Sequence, residues 1–332
     1  MKKLILIVML LCMTGCTMKS GDEANSSVAT TNQYKETAES TITSEYGKES
    51  LGEEDEHFEE STESFTEETE SLWTPIDPSG NTLESRINVP KGYTRAACGE
   101  RSLTAFLRGY TMKEDGAPVL LYNGAKKSNQ RAHVAVFQLP IENADLQQCA
   151  DSVMRIYGEY CLSIGKPERI KYHFTNGFLT EYRKWRDGYR IKVDGNNVYW
   201  VESGGYDDSY ASFQAYMRMV FSYAGTLSMD TYEANSITLN ELQVGDVFLK
   251  GGSPGHVVMV VDICENESGK KAFLLGQGYM PAQEFHVINN PAHSDDPWYY
   301  EDEVSYPFRT AEYTFPEGSL KRVSYSEWIS NH

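Results

Sequence analysis

Apolar positions along this chain follow two rhythms. Between Asp145 and Gly165 they keep helical spacing: Leu146, Cys149, Ala150, Val153, Tyr157, Tyr160, Cys161 and Ile164 share one face. Asp145 is placed to cap that helix, with Gln148 three residues on in a capping-box arrangement. Gly165 and Pro167 stop it. Ser209–Ala224 is a second amphipathic helix, with Phe213, Tyr216, Met217, Val220 and Phe221 on its apolar face and Gly225 at its end. Leu103–Leu107 and Phe178–Arg186 have shorter helical character. The other rhythm is that of strands: Ala117–Leu121, His133–Leu139 (ended by Pro140), Ile170–Phe174 before an Asn176-Gly177 turn, Val247–Lys250, His256–Ile263, Ala272–Leu275 and Phe285–Ile288. Short strands around two good helices predict an α+β fold, with an amphipathic helix packed on an antiparallel sheet.

The stretch from Val244 to Gln277 is the densest in signals. Val247–Lys250 is followed by a breaker-rich loop containing Gly251, Gly252, Pro254 and Gly255. His256 then opens a Val-rich run bounded by charges, and a polar turn at Glu265–Lys270 leads into Ala272–Leu275. This is a hairpin. Centring it near Glu267 pairs His256 directly with Gln277, beside the glycine loop. The pair reads in two ways: as a polar strand end, or as half of a nucleophile-activating site. Cys149 sits in the first turn of its helix, where the dipole favours a thiolate. Cys161 is on the same face, about 18 Å further along. Buried structural cysteine accounts for Cys161 and remains open for Cys149.

The N-terminus sets the compartment. Lys2 and Lys3 precede an apolar run, Leu4–Met13, and then Thr14-Gly15-Cys16. Residues 1–16 are a secretory signal resembling the lipobox of bacterial lipoproteins, which implies lipidation of Cys16 and a membrane-anchored, extracytoplasmic protein. The run is too short for a permanent span. Residues 17–72 are rich in Ser, Thr and Glu, with 16 Asp and Glu against 3 Lys, so they hold most of the net charge of -18. Such a composition predicts a disordered acidic tether. Residues 73–332 are left as a single α+β globular domain. Its modest acidity argues against nucleic acid as a partner. Cys98, Cys149, Cys161 and Cys264 remain in the mature part. Their spacing fits no metal motif and leaves disulfide pairing open.

Two aromatic clusters are candidate binding elements. Arg183, Lys184, Trp185, Arg186, Tyr189 and Arg190 mix cations with rings, and Asp296-Pro297-Trp298-Tyr299 is a loop with bulky aromatics. The first suits an acidic or sugar-like ligand. Each also reads as a solvated face with packed rings.

Leu146–Tyr160, Pro254–Cys264 and Leu274–Pro291 resemble the signature blocks of a bacterial family, domain of unknown function 4846, over roughly Ser102–Tyr299. More distantly, a Cys at a helix start, a Gly-Asp-Val strand, a Gly-His-Val-Val strand and a polar residue one strand later are similar to papain-like cell-wall peptidases and amidases of the NlpC type. That resemblance implies a papain-like core and a Cys149, His256 and Gln277 triad, with Gln148 or Gln147 assisting oxyanion binding. The residues flanking Cys149 and the Gln at the third position depart from the family's commoner pattern. His286 and Glu284 are the alternatives for the third member.

Two functions follow as expectations. One is a lipid-anchored cysteine hydrolase acting on amide bonds outside the cytoplasm, in peptidoglycan peptides for example, without a cofactor. The other is a non-catalytic binding lipoprotein that uses Trp185, Trp298, Tyr299 and Gln148 for a cell-wall glycan or peptide. A zinc site of His133, His256 and His286 lacks any HExxH-type spacing, so no metal is expected.

Overall fold

In the computed structural model, residues 73–326 are described, and they fall within one unit, Glu68–His332. The signal segment, Cys16 and the acidic tether lie outside the described residues. The fold is mixed α and β around an antiparallel sheet. Its three longest helices among the described residues are α1 (Leu103–Arg108), α2 (Cys149–Ser163) and α3 (Tyr210–Tyr223). Its strands are β1 (His133–Val136), β2 (Lys171–His173), β3 (Leu179–Glu181), β4 (Tyr189–Asp194), β5 (Asn197–Glu202), β6 (Ala234–Ser236), β7 (Val247–Lys250), β8 (His256–Asn266), β9 (Lys271–Gln277), β10 (His286–Ile288), β11 (Phe308–Arg309), β12 (Thr314–Phe315) and β13 (Leu320–Val323).

The main sheet runs β1-β10-β9-β8-β7-β13-β6, with Tyr93–Thr94 added to the far end of β8 and Tyr299–Tyr300 to β9. The β2–β3, β4–β5 and β11–β12 hairpins stand apart from it. The central β8–β9 hairpin is buried on both faces, which explains its near-continuous apolar run. Val257, Met259 and Val261 face a large cluster that includes α2 and α3. Val258 and Val260 face a smaller cluster closed by Phe248, Phe273, Phe308 and Phe315. Asp262 is the one charged interruption within the buried run of β8. Arg95 and Arg108 meet its two oxygens at 2.6 and 2.8 Å, the pairing that a buried carboxylate requires.

Several sequence expectations need correction. The β8–β9 hairpin turns around Ser268 rather than Glu267. Lys271 pairs with Glu265, and a bulge after Leu274 shifts the register so that Gly276 pairs with Met259. Gln277 therefore continues opposite Val258, and His256 lies on the diagonal, two residues further along the same face. Residues 117–121 form no strand: Leu120 and Leu121 make only isolated bridges, to Lys126 and Gln283. Pro118 lacks the N–H that a ladder needs there. Phe178–Arg186 divides into β3 and a short helix, Tyr182–Arg186, because the turn at Gly177 (φ 85°) folds β3 back onto β2.

Helix α2 starts at Cys149, with Gln148 as N-cap in an extended conformation. Asp151, not Asp145, caps it by accepting the Gln148 N–H at 3.1 Å. Asp145 instead accepts the Ala282 N–H at 2.7 Å and ties the helix entry to the segment after β9. The helix is buried on nearly all sides rather than along one stripe. Even Arg155 is enclosed, bonded to Glu159, Gln147 and the Tyr210 hydroxyl. Cys98, Cys149, Cys161 and Cys264 are all free thiols. Among the described residues, no helix is long and apolar enough to cross a membrane.

Candidate functional site

The sequence places a cysteine at the first residue of a 15-residue helix and a histidine at the first residue of an 11-residue strand. The fold brings these two element ends together. Gly278, just past β9, makes this possible: a Cβ there would lie 2.2 Å from the Ser152 Oγ and 3.0 Å from the Gln148 carbonyl oxygen. Helix α2 thus begins directly against the chain leaving β9. The Cys149 sulfur is reached by the N–H groups of Ala150, of Val257 and of Cys149 itself, each of which favours a thiolate. Val257 is the residue after His256, so the thiol sits against the peptide next to the histidine.

Cys149 and His256 approach this point from the two faces of the sheet. Cys149 packs in the large cluster with Val257 and Met259. The His256 ring lies on the other face. It rests 4.6 Å from the Tyr279 ring, 5.0 Å from Tyr313 and 6.0 Å from Phe315, the last stacked at 23°. An ionised Cys149 would raise the Tyr279 and Tyr313 phenols, so the two groups share these neighbours.

Gln277 holds the ring. His256 Nε2 and Gln277 Oε1 are 2.9 Å apart, a normal hydrogen bond. The other two candidates for this place go elsewhere. Glu284 pairs with Lys113 at 2.5 Å and accepts the Leu120 N–H. His286, directly opposite Gln277 across β9 and β10, touches Gln277 at 3.4 Å and the Glu284 carbonyl at 2.8 Å. Behind Gln277 lie two residues that the sequence did not single out. Gln277 Nε2 donates to Glu312 at 2.7 Å, and Lys127 forms an ion pair with the same carboxylate. Lys127, Gln277 and Glu312 come from three distant segments, and neither Lys127 nor Glu312 belongs to a motif. No local signal could have found them.

Burial dominates the electrostatics. Cys149 is 6 % exposed and His256 2 %. Desolvation pushes the Cys149 thiol up to about 11, with the nearby Asp151 adding to it and the three N–H groups opposing. Desolvation pushes the His256 imidazole down to about 4, against the Gln277 bond. Burial also raises the Asp151 carboxyl to about 8. At neutral pH all three are uncharged, so Asp151 places no negative charge beside the sulfur.

Cys149 opens onto a cleft of about 360 Å³ bounded by the start of α2, residues 224–226, the glycine loop at 252–255 and Met280. Gln148 lines it, with its side-chain N–H2 on Asp145 at 3.2 Å. The three aromatic candidates do not line it. Trp185 is buried under Arg190, whose guanidinium lies 4.4 Å from the ring. Trp298 is fully buried and donates to the Asn88 carbonyl at 2.8 Å. Tyr299 is buried, stacked on Phe273, and donates to the Asn289 carbonyl at 2.7 Å. These rings pack into the core, and Tyr299 also lines a separate cleft with Tyr300 and Phe308. Among the described residues, no group of three His, Cys, Asp or Glu is placed to hold a metal ion. The Lys127 ammonium lies 3.5 Å from His286 Nε2.

Compared with known proteins, residues 83–322 match a family model described as Domain of unknown function (4846). No curated protein and no solved structure matches the chain.

Proposed function

The chain belongs to the family Domain of unknown function (4846), and we propose that within it this protein is a cysteine hydrolase of amide bonds with a papain-like arrangement of Cys149, His256 and Gln277. The observation that carries the reading is the 2.9 Å bond from His256 to Gln277, with the Cys149 thiol against the very next peptide of the same strand. The bond engages Nε2. That leaves Nδ1, the other ring nitrogen, to take the thiol proton in this reading.

The burial of thiol and imidazole favours a neutral resting pair, so the proton moves during attack rather than before it. As sulfur bonds to the substrate carbonyl carbon, His256 Nδ1 takes the thiol proton and the carbonyl electrons pass to oxygen. N–H groups at the start of α2 are suited to receive that oxyanion, in the manner of a helix N-terminus. Collapse breaks the C–N bond, and the imidazolium returns its proton to the departing amine. Water, deprotonated by His256, then attacks the thioester carbon, the C–S bond breaks to release the acid, and the imidazolium returns its proton to the Cys149 sulfur. A lipid on Cys16, outside the described residues, would hold the domain at the outer face of the cell membrane, beside peptide amide bonds of the cell wall.

A second reading, a non-catalytic peptide- or glycan-binding lipoprotein, is favoured by one observation: the thiol is 6 % exposed and pushed up to about 11. Alkylation separates the two. Iodoacetamide near neutral pH should label Cys149 faster than Cys161, which burial pushes up to about 12 at the far end of the same helix. His256→Ala should slow labelling of Cys149, and Cys149→Ala should abolish amide cleavage in cell-wall peptides. Equal labelling rates that ignore the His256 substitution would leave the binding reading in place.

A further inference from the structure

A histidine that takes a proton at Nδ1 must carry its own proton at Nε2. Nothing in the ring itself enforces that, and a neutral imidazole can hold the proton on either nitrogen. We propose that Glu312 is the positioning residue that sets the His256 tautomer, acting through the Gln277 amide. The proposal rests on the hydrolase reading for its purpose, but not for its geometry.

The donors and acceptors behind His256 leave one arrangement. Glu312 receives Lys127, receives Asn129 Nδ2 at its other oxygen at 3.2 Å, and faces the Gln277 amide at 2.7 Å. An ionised carboxylate only accepts, so the N–H2 end of Gln277 must point at Glu312. His286 agrees. Its Nδ1 lies 2.8 Å from the Glu284 carbonyl, which accepts only, so Nδ1 holds the His286 proton and Nε2 is left as an acceptor. That Nε2 faces Lys127 at 3.5 Å and the Gln277 N–H2 at 3.4 Å, both donors. With its nitrogen so directed, Gln277 can present only its oxygen to His256. His256 Nε2 must then be the donor, and its lone pair is at Nδ1. Among the described residues, no hydrogen bond engages Nδ1.

Glu312 is therefore the acceptor from which the orientation of the Gln277 amide and the proton position of His256 follow. It lies in the turn between β11 and β12, and Tyr313 and Phe315 of the same hairpin pack on the His256 ring. One hairpin fixes both the ring plane and the ring tautomer. The charged groups facing the row are Glu312 and Lys127. They neutralise each other, so the carboxylate acts by orienting an amide rather than by placing a net charge beside the imidazole.

The test reads the tautomer directly. Protein labelled with ¹⁵N-histidine is examined by long-range ¹H–¹⁵N correlation near neutral pH, the His256 signals being those lost in His256→Gln. The wild-type ring should be the Nε2–H form. In Glu312→Gln the side chain at 312 can donate as well as accept, and in Glu312→Ala it can do neither. The contact to His286 is too long to hold the amide alone. Both variants should show the Nδ1–H form appearing, and alkylation of Cys149 should slow about threefold or more as the competent tautomer is depleted. Lys127→Met keeps the carboxylate and should keep the Nε2–H form. A purely structural Glu312 would leave the tautomer unmoved in whichever variant folds. That result, or a wild-type ring in the Nδ1–H form, overturns the proposal. The hydrolase reading fails separately, if His256→Ala leaves Cys149 alkylation unchanged.

Discussion

Asp151 offers the sharpest physical test of the site, because its charge state controls the field at Cys149 and leaves a signature in stability. The carboxyl is fully enclosed at the third residue of α2. Oδ2 accepts the Gln148 N–H, and Oδ1 has no partner. Burial raises it from an ordinary 3.8 to about 8. The sign follows from proton counting. Between those values the folded chain keeps a proton that the unfolded chain has released, so stability falls as pH rises and levels off above about 8. At ~1.4 kcal/mol per pH unit, the loss from pH 6.5 to 8 is about 1.5 kcal/mol. Asp151→Asn keeps an oxygen for the Gln148 N–H and cannot ionise. Urea unfolding of both proteins at several pH values, at fixed ionic strength, gives the difference in stability. It should widen in favour of Asp151→Asn by about 1.5 kcal/mol across that window. Titrations common to both proteins cancel in the difference, including those of His256 and His286, whose values are lowered by burial. A difference independent of pH would mean that Asp151 is already ionised at neutral pH. The sulfur would then face a buried negative charge, and the neutral-pair mechanism would lose its basis.

Two further outcomes follow from the packing and the sequence. Gly278→Ala should destabilise the protein by ~1–3 kcal/mol in chemical denaturation, because the added methyl overlaps Ser152 Oγ and the Gln148 carbonyl and must push the start of α2 away from β9. It should also slow Cys149 alkylation more than Cys161 alkylation, since only the helix start moves. Cys16→Ala should shift the translocated protein from the detergent phase to the aqueous phase in detergent partitioning, and unchanged partitioning would argue against lipidation.

Much of the local structure was legible in the sequence because it depends on short-range physics. The 3.6-residue pattern and Gly165 mark α2, Ser209 caps α3, and the Val-rich run with its polar turn marks the β8–β9 hairpin. The His256–Gln277 contact was also legible, although for an incomplete reason. The turn is one residue later than the chain suggests and a bulge follows Leu274, so the pair is diagonal rather than directly opposed. Only side-chain length and a shared face preserve the bond.

Tertiary structure decided the rest. Asp145 looked like a cap, but the Ala282 N–H competes for it, and that donor lies 137 residues away. Trp185, Trp298 and Tyr299 looked like ligand platforms. Apolar area is buried wherever the fold can bury it, and here the core took all three rings. Composition alone cannot distinguish a ring that packs from one that binds. Glu312 and Lys127 carry no motif and meet across 185 residues. Periodicity reports which face of an element turns inward, since that depends on the backbone repeat. Which distant acceptor completes a buried amide depends on where loops cross, and loop paths are fixed only when the whole core has closed.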